Sequence, residues 1–119
     1  LRVRVLGIDA PEISHDGSQP DCGADAATAA LKRLIGGQVV VVEHDQRSAA
    51  RDQYGRDLAY VTATDGVDVG LRLTEQGLAE AWYPSSVRAP SRDDTYRLAM
   101  ARARDAKIGA WKTCPKIGR

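Results

Sequence analysis

The sequence predicts a single domain of the α+β or small-barrel class, on three observations. Short β-rich runs at residues 1–8, 38–43 and 58–63 are interrupted by helix-like patterns, with no regular strand–helix alternation. The 119 residues suffice for one hydrophobic core and exclude two autonomous domains. A composition of 43% hydrophobic and 28% charged residues, with five prolines and eleven glycines, is that of a chain that folds and not of a low-complexity tract.

Residues 1–8, LRVRVLGI, alternate apolar and basic side chains until the spacing slips at Gly7, which predicts a strand with one face on a core. Asp9 ends it, and Pro11 disfavours helical geometry at Ala10 and removes a backbone donor, so DAPE is an ordered strand exit. Residues 14–22 are rich in turn formers and read as an exposed loop. The alanine-rich stretch 23–35 predicts an amphipathic helix with Ala27, Leu31, Leu34 and Ile35 on one face, stopped by Gly36 and Gly37. Residues 38–43 and 58–63 are β-branched or apolar strands on either side of a polar loop. A turn at Asp65 and Gly66 leads to a short helix over 69–76 ended by Gly77. Residues 78–83 suit a short strand, followed by a loop carrying Pro84 and Pro90. Ser91 and Asp94 stand as the first and fourth positions of a capping box opening a helix to about Lys107, with Tyr96, Leu98, Ala99, Ala103 and Ala106 for its packed face. Gly109 ends it, Trp111 is placed to pin the tail back, and no internal repeat occurs.

A net charge of +1 argues against indiscriminate polyanion binding by bulk charge. The distribution is uneven: from Arg88 onward nine basic residues face three acids, which suits either a polyanionic partner or a basic solvated helix and tail. The longest apolar run, at residues 39–42, is far short of a membrane-spanning helix, and no secretion signal precedes it. Cys22 and Cys114 stand near opposite ends. A bridge between them would close a long loop and would persist in an oxidising compartment, which predicts a secreted or cell-envelope-exposed protein; the alternative is two reduced cysteines in a cytosolic one.

Three stretches carry polar residues that local structure does not require. In RVRVLGIDAPE, Arg4 lies within a strand, and Asp9 and Glu12 flank a proline-stiffened exit. Two carboxylates so spaced can hold a hard divalent cation and an activated water, although acids at strand exits also cap turns. In RDQYGRDLAYV, Tyr54 and Arg56 bracket Gly55 ahead of a strand. Arginine suits bidentate phosphate recognition and tyrosine can stack on a base, while the plainer reading is a turn with Arg56 paired to Asp52 or Asp57. His15 and His44 lack metal-ligand spacing and are assigned no role. Trp82, Tyr83 and Trp111 read as core or core-edge aromatics, with Tyr83 the closest to a loop.

The order RVRVLGIDAPE, alanine-rich helix, VVVVEHD, DQYGRDLAYV, GLRLTEQGLAEAWY and basic helix ending in GAW resembles the staphylococcal-nuclease-like (thermonuclease) family over residues 1–111, with residues 112–119 a basic tail. The resemblance implies an OB-type small β-barrel with about three helices. It also implies a Ca2+-dependent endonuclease that hydrolyses both DNA and RNA to products with 3′-phosphates. On this resemblance the family's two phosphate-binding arginines fall on Arg4 and Arg56, its calcium-binding aspartate on Asp9, and the glutamate usually assigned to water activation on Glu12. Tyr54 and Tyr83 match tyrosines that line the nucleotide pocket, and Ala10 stands where the family often has threonine. The family places a further calcium-ligating aspartate on strands ahead of the arginine strand; these are expected upstream of Leu1 in the parent protein. A monomer is the expectation, with pairing of two copies if the barrel is incomplete. The alternative function is a non-catalytic OB-type module binding nucleic acid or peptide, and a third is a structural export domain. The presence of Arg4, Glu12 and Arg56 favours the enzyme.

Overall fold

The computed structural model describes residues 2–11 and 19–118 of the chain. Within them lie five strands and three α-helices: β1 (Val3–Val5), β2 (Ile8–Asp9), α1 (Ala24–Ile35), β3 (Val41–Glu43), β4 (Asp57–Thr62), α2 (Val69–Glu75), β5 (Glu80–Ala81) and α3 (Asp93–Asp105), followed by a 3-10 turn over Gly109–Lys112. The α+β class is as the sequence predicts. Strand β4 is central, parallel to β1 and antiparallel to β3, while β2 and β5 form a separate antiparallel pair. Among the described residues these sheets do not close into a barrel.

The apolar run Ala59, Tyr60 and Val61 makes β4 the buried strand. The single strand predicted over residues 1–8 is broken in two. Gly7 takes a left-handed turn at φ +85° with the Tyr96 ring against it, so a Cβ there would be strained and crowded at 3.3 Å. Helix α3 packs on α2 and β5, and α1 on α2. The predicted capping box is not formed: α3 starts after Arg92 with no side-chain cap, because Ser91 is engaged elsewhere. On α3, Tyr96 and Ala103 are buried as expected, but Leu98 is exposed.

Ser91 belongs to a polar network that ties the loop after β3 to the start of α3. Asp45 is buried and accepts from the Tyr60 hydroxyl at 2.8 Å, from Ser91 N at 2.6 Å and Oγ at 2.7 Å, and from Arg47 N at 2.9 Å. Arg92 lies 4.0 Å above the Tyr60 ring and pairs with Asp68, the N-cap of α2, which also accepts from the Tyr96 hydroxyl. Burial pushes the Tyr60 phenol up to about 12, helped by its bond to Asp45. Burial alone would raise the Asp45 carboxyl, yet the donors from Arg47, Ser91 and Tyr60 outweigh it and hold it far below the usual carboxylate range. A carboxyl depressed on folding contributes stability that is present above its unfolded value, about 4, and is lost as pH falls toward its folded value. Asp45→Ala is expected to cost about 2–3 kcal/mol in urea unfolding at neutral pH, and to flatten the stability loss of the wild type below about pH 4. A variant as stable as the wild type at neutral pH would contradict the role given to this network.

Candidate active site

Parallel pairing of β1 with β4 brings together two arginines that are far apart in sequence. Arg4 lies opposite Leu58, and Arg56 immediately precedes β4. Arg56 is set by the turn ahead of β4, in which the Asp52 carboxylate accepts from Tyr54 N and Arg56 N, both at 2.9 Å, and from Arg56 Nε at 2.7 Å. What burial Asp52 has works against ionisation, but these backbone donors and the guanidinium outweigh it and lower its carboxyl. The plainer sequence reading, an Arg56–Asp52 pair, is therefore present. It engages Nε and leaves the outer guanidinium nitrogens without a partner among the described residues. Tyr54 is 65% exposed beside it, with the guanidinium carbon 5.5 Å from the ring centre.

Arg4, Tyr54, Arg56 and Tyr83 all line one cleft of about 710 Å³. Its lining adds Arg47, Arg51 and Arg88, to which sequence reasoning gave no site role, so five arginines line it against one acid, Asp52. Such a cleft concentrates positive potential at its mouth. Trp82 also lines it and is 41% exposed, so of the two readings, core or core-edge, it is not core. A usable signal was present: the alternation that buries Ala79 and Ala81 turns Trp82 outward. Trp111 is buried, as expected. Nothing in residues 46–51 marks Arg47 and Arg51 beyond polarity.

Asp9 is on β2, 4% exposed, with its Oδ1 4.0 Å from Arg4 Nη2; Arg4 also donates to Val5 O at 3.4 Å. Across the β2–β5 pair it faces Glu80, whose carboxyl is raised by burial and further by the Asp9 charge, against the pull of Lys116. Glu12 and His15 lie outside the described residues. His44 sits 3.6 Å from Asp57 and 3.2 Å from Leu58 O. The chemistry of Asp9, a hard oxygen donor on the short strand β2, suits one ligand of a calcium ion. Calcium takes six to eight oxygens, and the described residues contain no group of three or more His, Cys, Asp or Glu that could complete the shell.

Compared with known protein families, residues 2–113 match the model described as staphylococcal nuclease homologue. The chain belongs to that family. Similar proteins include the probable endonuclease lcl3 of Pyrenophora tritici-repentis, 34% identical over 93% of this chain and 41% of that protein. The probable endonuclease LCL3 of Arthroderma otae is 35% identical over 94% and 41%, and the thermonuclease of Staphylococcus intermedius 33% identical over 93% and 63%. The chain thus spans about two-fifths of the length of the first two relatives. The Cys22–Cys114 disulfide expected from the sequence is formed, and no described helix is long and apolar enough to cross a membrane.

Proposed function

We propose that this staphylococcal nuclease homologue is a Ca2+-dependent, sugar-non-specific endonuclease that hydrolyses DNA and RNA. The observation that carries the reading is the placement of Arg4 and Arg56 on one cleft, with buried Asp9 adjacent to Arg4. When water attacks phosphorus, negative charge grows on the phosphoryl oxygens, and two guanidinium groups held in advance stabilise it without reorganising at the moment of reaction. Glu12 accepts the water proton as the new P–O bond forms. The bond to the 5′ oxygen breaks, that oxygen takes up a proton, and a 3′-phosphate is left. Asp9 would hold calcium, which when bound supplies positive charge beside the phosphate and the water. Tyr54 and Tyr83 offer faces to sugar or base, and Arg47, Arg51 and Arg88 engage flanking phosphates. Contacts made to phosphate carry little sequence information, so weak base preference is expected.

The disulfide supports an oxidising location, secreted or at the cell envelope, and we take the protein to act as a monomer. The test is digestion of end-labelled DNA and RNA oligonucleotides with calcium and with excess EDTA. Cleavage of both substrates that stops on chelation is expected, with Glu12→Gln lowering turnover by about 10²–10⁴-fold and binding far less. Cleavage that continues in EDTA rejects the metal-assisted reading. Oligonucleotide binding with no cleavage under any condition selects a non-catalytic binding module instead.

A further inference from the structure

The cleft that holds the two arginines also collects exposed apolar surface. Of the large apolar side chains open to solvent among the described residues, Tyr54, Trp82 and Val87 all line it. Tyr54 has the Arg56 guanidinium carbon 5.5 Å from its ring centre, and Tyr83 has that of Arg97 at the same distance. Trp82 stacks on no ring and no cation among the described residues. Its position is nevertheless fixed. Trp82 follows β5, and its amide donates to Gly7 O at 2.9 Å, continuing the register in which Ile8 faces Ala81. The backbone of Trp82 is therefore pinned to the turn between β1 and β2, a short way beyond Arg4. The residue opposite, Gly7, has no side chain to lay across the indole.

A ligand that answers both features must carry anionic groups for the arginines and a flat apolar face for the indole. An acidic peptide meets the arginines and leaves the ring without a flat partner. A nucleic-acid strand meets both, with phosphates for the guanidinium groups and bases for the ring. In a duplex each base has both faces covered by its neighbours, so an indole fixed to a sheet can stack only on a base that is unpaired. We propose that Trp82 is a nucleobase-binding residue: its indole stacks on an unpaired base next to the phosphate held by Arg4 and Arg56, and so favours single-stranded segments as substrate. The proposal rests on the nuclease reading of the cleft and adds to it a contact that depends on the base being unpaired. Every base has a π face, so the contact does not depend on which base it is.

The experiment follows tryptophan fluorescence in EDTA while a single-stranded oligonucleotide, a blunt duplex of the same sequence, an abasic strand of the same length and an acidic peptide are each titrated in. The chain has two tryptophans, and the other, Trp111, is buried with Ala103, Ala110, Cys114 and Ile117 in a small second core, apart from the main one. The single strand is expected to quench the emission, and the other three far less. Trp82→Phe should remove the quenching and keep most of the affinity, because it keeps a flat ring. Trp82→Leu and Trp82→Ala, shown folded by circular dichroism, should bind the single strand about tenfold more weakly and the duplex as wild type does. With calcium, the ratio of kcat/KM for single strand over duplex should fall about tenfold in Trp82→Ala. Equal quenching by the abasic strand, unchanged single-strand affinity in folded Trp82→Ala, or an equal loss on single strand and duplex overturns the proposal, as does quenching by the peptide alone. If wild type cleaves nothing, the nuclease reading fails, and the quenching with the contrast between Phe and Leu still decides the base contact. If wild type cleaves but is not quenched, the base contact fails and the nuclease reading stands.

Discussion

Arg56→Ala is expected to lower kcat on a labelled oligonucleotide by about 10²–10³-fold, the usual cost of removing one preorganised group that meets developing charge. The fold should survive the change. Asp52 keeps its backbone donors from Tyr54 and from residue 56 itself, so the turn that leads into β4 remains closed. Arg56→Lys should restore only part of the loss, because an ammonium is a point charge and cannot form the two parallel bonds a guanidinium makes to phosphate. Arg4→Ala should be as damaging to turnover and more damaging to stability, since Arg4 is the less exposed arginine and pairs with the buried Asp9. Single-turnover kinetics alongside thermal melts separate the two effects. Full turnover in a folded Arg56→Ala protein would remove the basis for assigning this cleft as the site.

Cys22→Ser/Cys114→Ser is expected to lower the unfolding free energy by about 4–5 kcal/mol, because the bond closes a loop that takes in nearly the whole domain and so restricts the unfolded chain. For a domain of this length that corresponds to a fall in Tm of roughly 15–20 °C. Calorimetric melting of the oxidised protein and the variant measures it directly. The bridge also joins the start of α1 to the second core around Ile117, so its loss should free the tail before the main core opens. A loss below about 1 kcal/mol would show that packing at Ile117 and Trp111 holds the tail without the bond.

Much of this molecule was legible in the sequence where local pattern and burial agree. The run at residues 58–63 predicts β4, observed at Asp57–Thr62, because an apolar β-forming stretch between turns has no other comfortable state. The helix expected over 69–76 forms as Val69–Glu75, with Asp68 supplying the cap. Failures occur where a distant partner decides. Ser91 looks like a helix cap, yet its hydroxyl and amide both go to Asp45, 46 residues earlier, and no local spacing encodes that choice. The strand predicted over residues 1–8 breaks because the Tyr96 ring occupies the space above Gly7.

The site divides the same way. Arg4, Asp9, Tyr54 and Arg56 sit in two short motifs whose proline and glycine punctuation sets them apart. The meeting of Arg4 with Tyr54 and Arg56 depends on the parallel register of β1 and β4, which the motifs alone do not state. At Arg56 the plain and the functional readings are both satisfied, since the residue pairs with Asp52 and lines the cleft.

The central claim is that Arg4 and Arg56 bind one phosphodiester together. Nuclear magnetic resonance of the arginine Nε–Hε groups tests it most directly, with a short single-stranded oligonucleotide titrated into the protein in EDTA so that nothing is cleaved. The account predicts that the Arg4 and Arg56 signals move together along one saturation curve, and that either alanine variant abolishes the shift of the other. Signals that respond at different oligonucleotide concentrations, or only one that responds, would contradict it.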